Sequence, residues 1–562
     1  MQEADKRHAP KKAKATLETM RKVFTLPESD QSTLARMDRE ISDNLLGFLG
    51  SRIVAGDIAP ANLEQDFLDT AIPEEPMFVS EQVDFLLQKV VAQSVHTAAP
   101  SFIGHMTSAI PYFMMPLAKI MMALNQNLVK IETSKAFTPL ERQVIGMLHR
   151  LIYNRNTEFY DTWTQSLTHS LGVFCSGGTI ANITSLWVAR NALLAGAGNA
   201  AANISDAGLF KAFKASGYSN LAIVVSERGH YSLKKAANVL GIGRDNLITV
   251  PVDRHHKMDL SALEETIKDQ KNKHVGIIAI VGIAGTTETG NVDPLFQIGQ
   301  IAKGNNIHFH VDAAWGGPVL FSERYRSLLN GLELADSVTI DAHKQLYVPM
   351  GAGMAIFKNE SALTHIEHHA NYIIRYGSRD IGKHTLEGSR PGMAMLVHSG
   401  LRIIGRKGYE LLIDLGIGKA GQFAKMIQAA PDFELISEPE LNLLTYRWVP
   451  EYAKKALASS EKDKAKAINF VLNELTEQIQ KMQRAKGRSF VSRTRFACKH
   501  HHDALLNVFR VVLANPLTTR QILGEILEEQ REYGKICLDT DELGPRLIAA
   551  CNGHKPTGMN DL

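Results

Sequence analysis

The feature that most constrains this chain is a series of six short apolar runs between residues 220 and 359, separated by turn signals or amphipathic stretches. "NLAIVVSE" (220–227), "NLITVPVD" (246–253), "VGIIAIVGIA" (275–284), "IHFHVDAA" (307–314), "DSVTIDAH" (336–343) and "GAGMAIFKN" (351–359) read as pleated strands, because β-branched side chains pack well there. Several are apolar at successive positions, so both faces must be covered, as in parallel strands flanked by helices. Between them, "DLSALEETIKDQ" and "LFQIGQIAKGNN" carry apolar residues three and four apart, the period of a crossover helix. Such alternation folds into a large mixed, mostly parallel sheet of the α/β class, with ligands beyond the strand ends.

The flanks have a different character. From about Ser32 to Val95 the pattern is helical, and "MDREISDNLLGFL" and "SEQVDFLLQKVVAQ" have broad apolar faces that need a partner. After Pro391 a long helical stretch precedes strands near "FELISEP", "NLLTYRW" and "RSFVSRTRF", a charged helix from about Ser459 to Lys486, and a final strand and helix. The expected division is a tail and helical dimerisation segment (1–100), a large α/β domain (101–395) and a small C-terminal α+β domain (396–562). The first fifteen or so residues are basic without apolar periodicity and read as a frayed tail.

Composition excludes several function classes. Sixty-two Lys plus Arg against 59 Asp plus Glu leave a formal charge of +3, too weak a field to suggest nucleic acid or an anionic membrane. The most apolar stretch, "IPYFMMPLAKIMMAL", is interrupted by Pro116 and Lys119 and reads as buried protein. Cys175, Cys498, Cys537 and Cys551 show no paired spacing, so a cytoplasmic protein without disulfides is expected. In "ACKHHHD" Cys498, His500, His501, His502 and Asp503 are crowded together, but adjacent residues cannot all face one ion, and no metal is expected. Cys175 reads as a small buried hydrophobe.

Chemistry-bearing residues recur where strands end. In "FCSGGTIANITSLWVAR", Gly177, Gly178 and Thr179 lead into a helix, where bare N–H groups and the helix dipole can seat a phosphate. "SERGHYSLKK" places His230 after a strand, with a flat ring able to stack on a cofactor. "GIAGTTETG" ends a strand in Thr286 and Thr287, and "HFHVDAAWGG" ends one in Asp312 followed by the small Ala313 and Ala314. "SVTIDAHKQL" ends in Asp341, His343 and Lys344. An amine, an acid on another strand, a stacking ring and a phosphate seat together are the parts that pyridoxal 5'-phosphate requires. Lys344 would bond the cofactor, Asp312 pair with its pyridine nitrogen, His230 cover one ring face and Ala314 lie against the other.

The motifs "SGGTIAN", "GHYSLKKAANVLGIG", "GTTETGNVDP", "HVDAAWGG", "DAHK" and "FRVVLANP" run in the order of the group II pyridoxal-dependent decarboxylases, which the chain resembles over residues 100 to 516. The resemblance implies fold type I of the aspartate aminotransferase kind and a homodimer with active sites at its interface. It implies Lys344 as the covalent anchor, His343 and Thr179 as phosphate contacts, and Thr286 or Thr287 near the ring oxygen. It implies Arg510 as the grip on the substrate α-carboxylate, and a proton-donating loop tyrosine supplied by the neighbouring subunit. An alignment through "EGSR" favours Tyr376 for that role, with Tyr372 as the alternative. Asp341 would support the lysine turn.

Within that family, the segment "APSFIGHMTSAIPYFMMPLAKIMMALNQ" and the loop "YIIRYGSRDIGKHTLEGSRPGMA" look closest to the bacterial enzymes that convert aspartate to β-alanine for pantothenate. His105 and Thr107 are the candidate contacts to the substrate side chain. Glutamate or cysteine sulfinate are the rival substrates, since one methylene discriminates by only about 1–3 kcal/mol. Transamination on the same fold and a non-catalytic binding protein are the remaining alternatives.

Overall fold

The computed structural model describes residues 33–51, 54–56, 58–107, 109–197, 204–370, 374, 377–540, 542–556 and 559. Its larger sheet holds seven strands: β1 (Gly172–Cys175), β2 (Asn220–Ser226), β3 (Leu247–Val250), β4 (Val275–Ile283), β5 (His308–Asp312), β6 (Ser337–Asp341) and β7 (Gly353–Phe357). Their spatial order is β1-β7-β6-β5-β4-β2-β3. β3, β2, β4, β5 and β6 are parallel neighbours, and β7 runs antiparallel to both β6 and β1. Six strands therefore point one way, and their C-terminal ends share one edge of the sheet.

The near-continuous apolar runs have the expected consequence, because β4 is buried from Gly276 to Ile283 and β5 from Phe309 to Asp312. Helix Gly178–Ala197 crosses β1, β4, β5, β6 and β7 on one face, and helices Leu260–Asn272 and Leu295–Gly304 cover β4. The four-residue β1 lies immediately before the Gly-Gly turn and is too short to carry a periodic signal of its own.

A second, antiparallel sheet follows: β8 (Phe433–Ser437), β9 (Leu443–Trp448), β10 (Ser492–Cys498) and β11 (Ala504–Val512), in the order β10-β11-β9-β8. Helices Lys462–Lys486 and Arg520–Thr540 pack with it around Phe423, Tyr446, Leu472, Ile479 and Phe509. One boundary differs from the sequence reading. Residues 101–104, assigned there to the large domain, join the small one: Phe102 bridges Phe490 in parallel, Ile103 N–H donates to the Phe490 carbonyl, and Val512 N–H donates to the Ile103 carbonyl. Ile103 is fully buried in the small domain's core. So short a segment shows no period, and only its tertiary partners reveal its place.

The N-terminal region is helical over Thr33–Leu49 and Val79–Phe85, and continues as π-helix over Leu86–Val91. Leu46, Leu68 and Ile72 remain exposed. Among the described residues no helix is long and apolar enough to cross a membrane.

Candidate active site

The shared strand edge gathers the sequence candidates. Gly177, Gly178 and Thr179 follow β1, His230 follows β2, Thr286 and Thr287 follow β4, Asp312 ends β5, and His343 and Lys344 follow β6. Parallel neighbours with a fixed register bring these residues together from widely separated positions.

Lys344 Nζ lies 3.3 Å from Asp341 Oδ2, and His343 Nε2 lies 3.5 Å from the same oxygen. Asp341 is thus the counter-ion of the amine as well as part of the turn. Burial pushes the His343 pKa down, against the upward pull of Asp341. His343 Nδ1 and Asp341 Oδ1 are buried without a hydrogen-bond partner in the protein, which is costly unless a ligand completes them.

At the phosphate seat, helix Gly178–Ala197 begins directly after Gly177, and the first N–H groups of any helix lack intrahelical partners. A Cβ on Gly178 would stand 2.8 Å from Asp341 Oδ2 and 3.3 Å from Ala314 Cβ. A Cβ on Gly353 would stand 2.5 Å from the Gly177 carbonyl carbon. The turn is therefore pressed against the strand ends, and glycine is required for the close approach.

His230 caps helix Tyr231–Val239, with Nδ1 accepting from Ser232 N–H and lying 2.8 Å from Ser232 Oγ. Desolvation lowers its pKa, followed by an opposing contribution from Asp312. The Asp312 carboxylate accepts from Asn182 Nδ2 at 2.8 Å and from Ala314 N–H at 3.1 Å. An amine, a carboxylate, a half-buried imidazole and an open helix start fit pyridoxal phosphate in donor chemistry. Lys344 would hold its carbonyl carbon, Asp312 its ring nitrogen, and Gly177, Gly178, Thr179 and His343 its phosphate.

The two threonines separate. Thr286 is fully buried and its hydroxyl is taken up inside the turn, 2.9 Å from Thr289 Oγ1 and accepting from Asn291 N–H at 3.1 Å. Thr287 follows in the same turn and is only half-buried. Its carbonyl accepts from Arg510 Nη1 at 3.1 Å, while Arg510 Nη2 donates to the Gly104 carbonyl at 3.0 Å. Arg510 Nε is buried and unpartnered, and desolvation lowers the guanidinium pKa to about 10. His105 follows Gly104 in the chain, whose carbonyl Arg510 holds, and its pKa is lowered by desolvation and next by the charges of Arg510 and Lys344. Thr107 Oγ1 lies 3.4 Å from His105 Nδ1. Tyr372 and Tyr376 lie outside the described residues. The loop's base is fastened by buried Arg390, whose Nη1 donates to Glu141 Oε2 at 2.5 Å.

Sequence reasoning missed three groups. Asn182 stands in the second turn of helix Gly178–Ala197 at the end of "SGGTIAN", and His310 is a strand residue two places before Asp312 in "HFHVDAAWGG"; both lie inside quoted motifs, but nothing local assigns either a role. Glu288, next to the two threonines, has its Oε2 3.9 Å from Arg228 Nη1 and stands within electrostatic reach of Arg510, while burial raises its pKa. An acid directly after "GTT" was the signal available for it. The "ACKHHHD" cluster is structural: His501 Nε2 lies 2.9 Å from Glu434, which also pairs with Arg447. Among the described residues no group of His, Cys, Asp and Glu could hold a metal ion. Burial pushes the Cys175 thiol up.

Comparison with known proteins bears on the family and the fold. The pyridoxal-dependent decarboxylase conserved domain matches residues 60–449. The aspartate 1-decarboxylase of Aliivibrio fischeri is 58% identical over 522 residues, spanning 93% of this chain and 95% of the relative. The L-2,4-diaminobutyrate decarboxylase of Acinetobacter baumannii is 27% identical over 67% of this chain and 73% of its own. Among solved structures, mouse CSAD superposes with a TM-score of 0.77 at 24% identity, covering 89% of this chain and 98% of that one. Oryza sativa TDC with PLP and tryptamine gives 0.76 at 19%, covering 91% and 99%. These two likenesses show the shared fold. With the domain match extending over more than half of its length and the Aliivibrio relative over nearly all of it, this chain belongs to the pyridoxal-dependent decarboxylase family.

Proposed function

We propose that this protein removes the α-carboxylate of L-aspartate, yielding β-alanine and carbon dioxide, with pyridoxal 5'-phosphate as cofactor. The reaction class rests on one geometric observation, the convergence of Lys344, Asp312, His230 and the Gly177–Gly178 turn at a single strand edge. The choice of aspartate rests on the Aliivibrio relative, whose likeness runs through both domains.

Bound at this edge, the cofactor supplies an electron-withdrawing ring that accepts the electron pair left when carbon dioxide departs. The chain's own residues then have distinct tasks. Asp312 would hold the ring nitrogen, Asp341, 3.3 Å from Lys344 Nζ, would orient the amine, and His230 would cover one ring face. Arg510 offers a guanidinium already oriented by two carbonyls, suited to a two-point grip on the substrate α-carboxylate. His105 and Thr107 face the substrate side chain. The proton that replaces carbon dioxide at Cα comes from Tyr376, with Tyr372 as the alternative donor.

The working unit is a cytoplasmic homodimer. Tyr112, Ile120, Met122 and Leu124, and on another helix Leu411 and Leu415, stand exposed, as apolar surface of the kind a second subunit covers. A cavity of about 1330 Å³ runs from Leu45 and Phe48 past Thr107 to His343, wide enough to admit a partner segment as well as an amino acid.

Incubating the holoenzyme with aspartate, glutamate and cysteine sulfinate at equal concentrations, and following carbon dioxide and amine, tests the substrate. Aspartate is expected to turn over fastest; faster release from glutamate would transfer the assignment to it.

A further inference from the structure

Behind Asp312 lies a line of buried polar groups that the reaction scheme above does not use. Asn182 Nδ2 is 2.8 Å from Asp312 Oδ2, and Asn182 Oδ1 is 3.0 Å from His310 Nε2. His310 Nδ1 is 2.8 Å from Ser337 Oγ, which is in turn 2.8 Å from His308 Nε2. A branch leaves Asn182 through Ser232 Oγ at 3.1 Å and reaches His230 Nδ1 at 2.8 Å. Asn182 is 1% exposed, and His310, Ser232 and Ser337 are fully buried, so solvent does not compete for these bonds.

The proton positions follow by elimination. A carboxylate only accepts, so the Asn182 amide nitrogen must face Asp312, which turns its oxygen to His310. That oxygen also only accepts, so His310 carries its proton on Nε2. Burial lowers the His310 pKa and keeps the ring neutral, which leaves Nδ1 as an acceptor for the Ser337 hydroxyl. The Ser337 oxygen then accepts from His308 Nε2–H. On the branch, the second Asn182 amide hydrogen goes to Ser232, whose hydroxyl hydrogen goes to His230. Every donor on the main line points toward Asp312, and aligned bonds of this kind reinforce one another. Without His310 the Asn182 amide loses the partner that fixes its orientation, and a flipped amide would present its oxygen to the Asp312 carboxylate.

We propose that Asn182 and His310 are positioning residues for the cofactor's ring nitrogen: His310 Nε2–H locks the Asn182 amide so that it donates to Asp312 and, through Ser232, orients His230. The inference rests on the pyridoxal reading of the site and adds to it a buried relay that acts through Asp312.

The test compares two ligands that differ at one atom. Full-length apoprotein, wild type, His310→Phe and Asn182→Leu, is titrated with pyridoxal phosphate and with its 1-deaza analogue, in which carbon replaces the ring nitrogen. Tight binding of both ligands to the wild type establishes the pyridoxal site independently of the relay. Because the lost bond serves a charged group, affinity for pyridoxal phosphate is expected to fall about 10- to 100-fold in the variants, while affinity for the analogue stays unchanged. Equal losses for both ligands would show that the residues only support the fold, and unchanged affinity for both would show that the relay does not reach the ring; either result overturns the proposal. Should the larger substitutions prevent folding, Ser337→Ala removes a single hydroxyl and is expected to lower pyridoxal phosphate affinity alone, by roughly threefold. A drop shared by the analogue, or no drop, overturns the proposal there too.

Discussion

Lys344, Asp312 and His230 stand at the ends of strands of one sheet, whereas Arg510, Gly104 and Thr287 meet across the seam between two sheets. The first group takes its geometry from a continuous ladder of backbone hydrogen bonds, which fixes neighbouring strand ends to within one register. The second depends on how the small domain seats against the large one, since Thr287 belongs to the turn after β4 and Gly104 to the segment added to the small sheet. In the proposed reading, cofactor chemistry, common to many amino acid substrates, is built on the sheet's ladder. The same proposal puts substrate recognition at the seam, where small shifts in packing can change what fits.

This contrast can be broken most severely at Lys344. Lys344→Ala is expected to lower turnover by roughly 10³-fold or more and to abolish the visible absorbance of covalently held cofactor; retained absorbance would move the anchor elsewhere. Arg510→Met should act on the other half alone, reducing kcat/KM for aspartate by about 10²-fold with the cofactor spectrum intact. If the spectrum changes as well, the two halves are not separable.

Glu141 and Arg390 are 3% and 8% exposed, and their pair ties the loop's base to helix Phe137–Tyr153. Arg390→Met leaves a buried carboxylate unpaired and should cost about 3 kcal/mol of stability in chemical denaturation. Loss of stability beside a normal cofactor spectrum would show that the pair serves the fold and the loop, with no direct part in holding the cofactor.

The smallest effect concerns pH. Fully buried His149 has its pKa lowered by desolvation to about 4 from the ordinary 6.5. The unfolded chain therefore takes up its proton near pH 6.5 and the folded chain only near 4, so stability is full above that window and falls as pH drops through it. Between pH 7 and 5 this group should account for about 1–2 kcal/mol, measured as a pH-dependent fall in unfolding free energy that His149→Gln weakens. His256 and His384, lowered by desolvation to about 4 and about 3, act in the same direction. An unaltered pH profile in the His149 variant would place the sensitivity elsewhere.

The α/β class and the strand runs from β2 to β7 were legible in the sequence, as was the placement of Lys344, Asp312, His230, Gly177 and Gly178 after or at strand ends. Each comes from a local pattern: a run of β-branched residues, a glycine pair before a helix, or a charged residue at the end of an apolar strand. Local patterns report the forces that act between near neighbours in the chain. They could not show that Phe102 and Ile103 belong to the small domain, that Thr286 spends its hydroxyl on its own turn, or that Asp341 is the amine's counter-ion. Nor could they single out Asn182 and His310, 128 residues apart yet 3.0 Å from each other. Buried hydrogen bonds of this kind depend on which helix crosses which strand, and only the tertiary fold decides that.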